Sequence, residues 1–120
     1  TQYAGLVSLR NKEKLVRDEI KNEVKEYNER MNTCETFINK TGLKLIRPEG
    51  SFYMCVYVSY YLNDDIPGSL LLAENLLNSA GIAVTPGEDF GRNDFFRISL
   101  TSANVVEGVK RMCDYLNTLK

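Results

Sequence analysis

The stretch Ile82-Ala83-Val84-Thr85-Pro86-Gly87-Glu88-Asp89-Phe90-Gly91, closed by Phe95-Phe96-Arg97-Ile98-Ser99, constrains this chain more than any other part of it. It reads as a strand, a Pro-Gly turn, a second glycine turn and another strand. Pro86 has no N–H to give a ladder, so it should mark a strand end, and glycine admits the positive φ that tight turns need. In a strand over Phe95 to Leu100, side chains alternate between faces. Phe96, Ile98 and Leu100 then share one face, and Phe95, Arg97 and Ser99 the other. A guanidinium set among aromatic and apolar residues is costly to desolvate unless an anion meets it. The position asks for a carboxylate or phosphate, and nothing local obviously supplies one.

The rest of the chain builds a frame around that strand. Val16, Ile20, Val24, Tyr27, Met31, Cys34 and Ile38 recur at alternating steps of three and four, the stripe of one long amphipathic helix. Asn11 is a suitable N-cap, Glu13–Arg17 and Glu26–Arg30 have i,i+4 ion-pair spacing, and Asn39-Lys40-Thr41-Gly42 suits a stop with glycine just beyond. A helix this long outruns a core of this size, so Leu15 and Val16 are free to meet another domain. Strands are expected at Leu43–Ile46, Phe52–Tyr61, Ile82–Thr85 and Phe95–Leu100. Ser69 should cap a helix with Leu72, Leu76 and Ala80 on one stripe, ended by Gly81. Ser102 or Asn104 should start a last helix through Val105, Val109, Met112, Leu116 and Leu119, with Asn104 and Glu107 at capping-box spacing. Helices segregated on one face of a small, largely antiparallel sheet give an α+β fold.

At 120 residues the chain can bury a real core as a single domain spanning 1–120. With 15 basic against 16 acidic residues there is no electrostatic case for nucleic acid or an anionic membrane. No apolar run approaches the ~20 residues that span a bilayer. The first residues show neither a signal-peptide core nor a transit pattern, and the missing initiator Met suggests a chain that was cut or subcloned. Cys34, Cys55 and Cys113 are odd in number and unclustered, which argues against disulfides and zinc and for reduced thiols of a cytoplasmic protein. There is no histidine, so the commonest general base and metal ligand is lacking.

Several patterns in the chain have plain structural readings. A phosphate-cradling loop at Gly87–Gly91 fails, because no helix begins after Gly91 and no Lys-Ser/Thr pair follows. Tyr53, Tyr57, Tyr60 and Tyr61 are core or edge aromatics in the absence of a basic patch. By spacing alone, Arg97 reads most simply as a structural ion pair or a snorkelling edge-strand arginine.

The motifs taken together change that reading. Pro86-Gly87-x-x-Phe90-Gly91…Phe96-Arg97-Ile98-Ser99, Gly50-x-Phe52-Tyr53 upstream and Tyr27-x-x-Arg30 before that resemble, in order, the C-terminal part of the class I/II aminotransferases, enzymes of fold type I that use pyridoxal phosphate. The resemblance covers nearly the whole chain. It implies the small C-terminal domain of such an enzyme, with residues 1–40 including the long interdomain helix and the large cofactor-binding domain absent. It also implies that Arg97 grips the substrate α-carboxylate, with Tyr53 and Phe90 near the substrate. A planar guanidinium suits that task because it makes two parallel charge-assisted hydrogen bonds. The five residues between Gly91 and Arg97 are fewer than many members of the family have, which bears on the shape of the lid.

What the chain lacks follows from the same resemblance. It has no Ser-x-Ser-Lys-type or Asn-Ala-Pro-type segment, and its lysines lie on polar faces or in loops, without the apolar setting that lowers an amine's pKa. The expectation is a fragment with no catalytic, cofactor-binding or metal residue of its own, inactive alone. The parent would exchange an amino group between an amino acid and a 2-oxo acid as a cytoplasmic homodimer. Pyridoxal-phosphate C–S lyases, aminocyclopropanecarboxylate synthase and acyl-transferring synthases share this domain and stay open as alternatives. So do a stand-alone small-carboxylate-binding module and a purely structural dimerisation domain.

Overall fold

The computed structural model describes residues 1–10 and 14–120. Two helices come first, α1 (Gln2–Arg10) and α2 (Lys14–Ile38), followed by β1 (Lys44–Ile46), β2 (Tyr53–Tyr57), α3 (Ser69–Ala80), β3 (Thr85–Pro86), β4 (Phe95–Ser99) and α4 (Val105–Asn117). The strands form one antiparallel sheet in the order β1-β2-β4-β3. Alternation along β2 and β4 splits the sheet as expected: Met54, Val56, Phe96 and Ile98 are buried on one face. Met31, Cys34 and Ile38 of α2, Leu72 and Leu76 of α3, and Val105, Val109, Met112 and Leu116 of α4 close over that face as one core. The α+β architecture with helices on one side of a small sheet is thus realised. The opposite face carries Tyr53, Cys55, Tyr57, Phe95, Arg97 and Ser99, all half-buried.

The helical stripe of α2 is core only over its second half. Met31, Cys34 and Ile38 are buried and Tyr27 packs at the edge, whereas Ile20 and Val24 are 56% and 51% exposed. The Asn11 cap and the Glu13–Arg17 pair lie outside the described residues, as do the side chains of Leu15 and Val16. The Glu26–Arg30 pair forms at 3.0 Å. Arg30 also donates to the carbonyls of Leu100 and Thr101 at 2.8 and 3.1 Å, tying α2 to the end of β4.

Tertiary context moves several expected boundaries. The strand expected over Phe52–Tyr61 ends at Tyr57, because Val58 N–H turns to the carbonyl of Asp94 and Ser59–Tyr61 form a 3-10 turn. The strand expected over Ile82–Thr85 contracts to Thr85–Pro86, since only those two residues meet the β4 ladder at Arg97 and Phe96. Pro86 does end the strand. Helix α2 stops at Ile38, one residue before the expected Asn39–Gly42 stop. Gly42 is required there for space rather than for positive φ, as a Cβ would come within 2.6 Å of the Tyr60 ring. Gly81 does close α3 in the left-handed region, at φ 67°. Asn104 stands at the N-cap of α4 without a side-chain capping bond, so the capping box is not formed. Ser69 is not the cap of α3 either: Gly68 occupies that position, and the Ser69 hydroxyl is engaged elsewhere.

Candidate functional site

Arg97 lies on an interior strand, with Cys55 of β2 and Thr85 of β3 as its register partners on either side. An edge-strand arginine reaching for solvent is therefore ruled out. Neither neighbour carries a charge. None of the ion pairs formed among the described residues involves Arg97. Its guanidinium is instead held between two aromatic rings, 4.3 Å from the centroid of Tyr53 and 4.4 Å from that of Phe90. Both distances fall within the range of cation–π attraction. Among the described residues, its Nε is the one buried side-chain nitrogen or oxygen without a hydrogen-bond partner. The three residues singled out in the sequence thus converge: both rings pack against the guanidinium, and its buried Nε is left without an acceptor.

Each ring is held in place by further contacts. Tyr53 packs on Phe52 with centroids 4.5 Å apart, and Phe52 meets Tyr27 of α2 at 6.4 Å, so an aromatic line runs from the long helix to the arginine. Phe90 stacks on Phe95 at 6.1 Å and 28°. Phe90 ends the 3-10 turn Gly87–Phe90, whose exit is Gly91 at φ 79°. The glycine-rich connection is therefore a wall of the Arg97 site. A groove of about 430 Å³ between β3, β4 and the start of α4 also reaches Arg97, with Val84, Ser99, Ser102, Asn104 and Val109 among its lining.

No sequence motif foretold how that turn is anchored. Glu88 reaches across to the start of α3, where it accepts the Leu70 N–H at 3.0 Å and the Ser69 hydroxyl. The buried Ser69 Oγ in turn accepts the Gly87 N–H at 2.9 Å. Burial pushes the Glu88 carboxyl up, but bonds from Ser69, Leu70 and its own backbone outweigh that and hold it below its ordinary value. Beside the turn, Arg92 and Asp94 form a two-bond pair at 2.9 and 2.6 Å, with Arg92 over the Tyr57 ring.

The family model for aminotransferase class I and II matches residues 1–116. The chain belongs to that family. The chain is 35% identical over 115 residues to the probable aspartate/prephenate aminotransferase of Aquifex aeolicus, covering 92% of this chain and 28% of that protein. It is 31% identical to the aspartate aminotransferase of Thermotoga maritima, covering 98% and 28%. Among solved structures, the aromatic aminotransferase of Pyrococcus horikoshii superposes with a TM-score of 0.77 at 27% identity, over 98% of this chain and 30% of that one. The aspartate aminotransferase of Rhizobium meliloti gives 0.77 at 26%, over 97% and 30%. The chain spans between a quarter and a third of the length of these relatives.

Family membership implies pyridoxal phosphate, and the described residues of this aminotransferase chain do not fit its binding. Lys21, Lys25, Lys40, Lys44, Lys110 and Lys120 are all exposed, so none offers a desolvated amine for covalent attachment. Phe90–Gly91 lead into β4 rather than into a helix that could cradle a phosphate. No group of three or more metal-ligating side chains occurs among the described residues, and no described helix is long and apolar enough to cross a membrane.

Proposed function

We propose that this chain is the C-terminal small domain of a pyridoxal-phosphate aminotransferase, extending over residues 1–120, and that Arg97 binds the α-carboxylate of its amino-acid and 2-oxo-acid substrates. One observation carries the reading: an unpaired guanidinium on an interior strand, sandwiched by Tyr53 and Phe90 with Nε buried and unsatisfied. Leaving a charge in that setting is costly, and a carboxylate docking in plane removes the cost by two charge-assisted bonds. Because the planar guanidinium makes two parallel bonds, the carboxylate is fixed in angle as well as distance. That orientation presents the adjacent Cα–H bond for proton removal.

The relatives' names specify aspartate, prephenate and, in a protein of Natranaerobius thermophilus that is 28% identical, LL-diaminopimelate. These substrates differ in their side chains and share an amino- or oxo-acid carboxylate end. This chain serves the shared end, and the cofactor, the covalent lysine and most side-chain selection belong to the rest of the parent. Within the parent the domain closes over bound substrate, drawn by the Arg97–carboxylate link, and excludes water. The parent acts in the cytoplasm as a homodimer.

The test is an absorbance titration of the full-length parent with pyridoxal phosphate against a panel of amino acids, for wild type and Arg97→Ala. Conversion of the cofactor to its amino form by certain amino acids identifies the donor. A titration midpoint raised about a hundredfold in Arg97→Ala places the carboxylate on this arginine. A loss of less than tenfold in kcat/KM for the variant would remove Arg97 from that role. Release of a thiol or other side-chain product without the amino form would make the parent a lyase.

A further inference from the structure

We propose that Glu88 is a positioning residue for the carboxylate site: its latch onto the first turn of α3 holds Phe90 against Arg97 and so sets the affinity for substrate. The inference rests on the Arg97 reading above. Glu88 and Phe90 belong to one 3-10 turn, Gly87–Phe90, which places the Phe90 ring 4.4 Å from the guanidinium. At its other end the turn is held to α3 by the Glu88 bonds to Leu70 N–H and the Ser69 hydroxyl, and by the Gly87 N–H to Ser69 Oγ. The Glu88 carboxylate thereby meets the unsatisfied donors and positive end of that helix. Ser69 is 0% exposed and anchors the buried end of the junction, while the Glu88 bond to Leu70 N–H lies at the surface.

Gly68 is part of the seat. A Cβ at Gly68 would stand 2.5 Å from Glu88 Oε1, so only glycine leaves room for the latched carboxylate. The Gly68 backbone is extended and open to any residue (φ −161°, ψ 169°), so a Cβ there acts by crowding the latch and, at 3.3 Å, the Asn93 Cβ rather than by backbone strain. Asp89 is the natural control. It sits on the same turn with the same charge, is exposed, and makes no side-chain hydrogen bond among those of the described residues.

Charge and latch predict opposite signs. Removing a nearby negative charge by itself favours a substrate carboxylate, whereas releasing the turn frees Phe90 and disfavours it. In the full-length enzyme, steady-state kinetics with the donor found by titration are measured for Glu88→Ala, Glu88→Gln, Gly68→Ala, Asp89→Ala and Arg97→Lys. Glu88→Ala and Gly68→Ala should each raise KM about fivefold to tenfold with kcat within about twofold, the signature of lost uniform binding. Glu88→Gln keeps an acceptor for Leu70 N–H and should recover at least half of that change, while Asp89→Ala stays at wild-type KM. If Arg97→Lys raises KM but Glu88→Ala and Gly68→Ala do not, the latch is overturned and the Arg97 reading stands. If Arg97→Lys also leaves KM unchanged, the Arg97 reading itself falls. A drop in kcat without a rise in KM, or a Glu88→Ala enzyme that binds donor more tightly, likewise overturns the latch.

Discussion

Arg97 occupies a position where an apolar side chain would serve the fold better. Its register neighbours Cys55 and Thr85 are neutral, and its Nε finds no acceptor. A buried donor without a partner costs about 1–3 kcal/mol, against which two ring contacts return about 1 kcal/mol or somewhat more. Replacing it with Met keeps much of the volume and removes both the unmet donor and the charge. Arg97→Met is therefore expected to be as stable as wild type within about 1 kcal/mol by urea unfolding, or more stable, while losing carboxylate binding. A larger loss of stability would make the arginine a structural element. The thiols give a second residue-scale prediction. Burial raises Cys34 and Cys113 to about 11, with Asp114 and Cys34 adding to the effect at Cys113. Both stay protonated at neutral pH and should resist iodoacetamide in the folded chain, whereas half-exposed Cys55 should alkylate first. Mass spectrometry of partially alkylated protein reads the order directly.

At the scale of elements, the helical periods were legible because each stripe packs into the one core that covers a single face of the sheet. The stripes of α3 and α4 are where spacing put them through Leu72, Leu76, Val105, Val109, Met112 and Leu116, with Ala80 partly buried at the edge. Leu119, however, falls beyond the end of α4 and stands 40% exposed. Strand ends were less legible, since where a ladder stops depends on a partner distant in sequence: β3 keeps only the two residues that face Arg97 and Phe96. The same reason hid the Glu88–Ser69 contact, which joins a turn to a helix start across 19 positions. Arg97, Tyr53 and Phe90 were visible through alternation and motif order, but their sandwich needed three elements to meet. The turn Gly87–Phe90 tolerates little at its first residue, because a Cβ on Gly87 would lie 2.5 Å from the Arg92 carbonyl and 2.8 Å from the Phe95 ring. Gly87→Ala should cost about 1–3 kcal/mol, measured by thermal unfolding. The latch also has a pH signature. Glu88 titrates below its ordinary 4.5, so its contribution is full above that value and is lost as pH falls through the depressed one. The stability difference between wild type and Glu88→Gln should therefore shrink on acidification below about pH 4.5 and be flat above pH 6, as followed by urea midpoints across pH.

On the scale of the whole molecule, the helices and the core are mismatched in length. The chain extends 54 × 27 × 24 Å, and the 25 residues of α2 alone span roughly 37 Å. No residue of α1 is buried, and Leu6, Leu9, Ile20 and Val24 stand exposed along the part of the helical region that the sheet does not reach. A helix with an apolar stripe and nothing to cover it gains little stability from packing. The chain spans 28% of its relatives' length, and on the small-domain reading proposed above the stripe would seat against the remainder of the parent. Ile20→Ser with Val24→Ser separates the two contexts. In the isolated chain both sites are exposed, so the double variant should change the free energy of urea unfolding by no more than about 0.5 kcal/mol. In the full-length protein the same two side chains would be covered, and the loss should reach about 2 kcal/mol or more. Equal small effects in both contexts would mean that the stripe is solvated in the parent as well, and that α2 does not join this unit to a larger domain through that face.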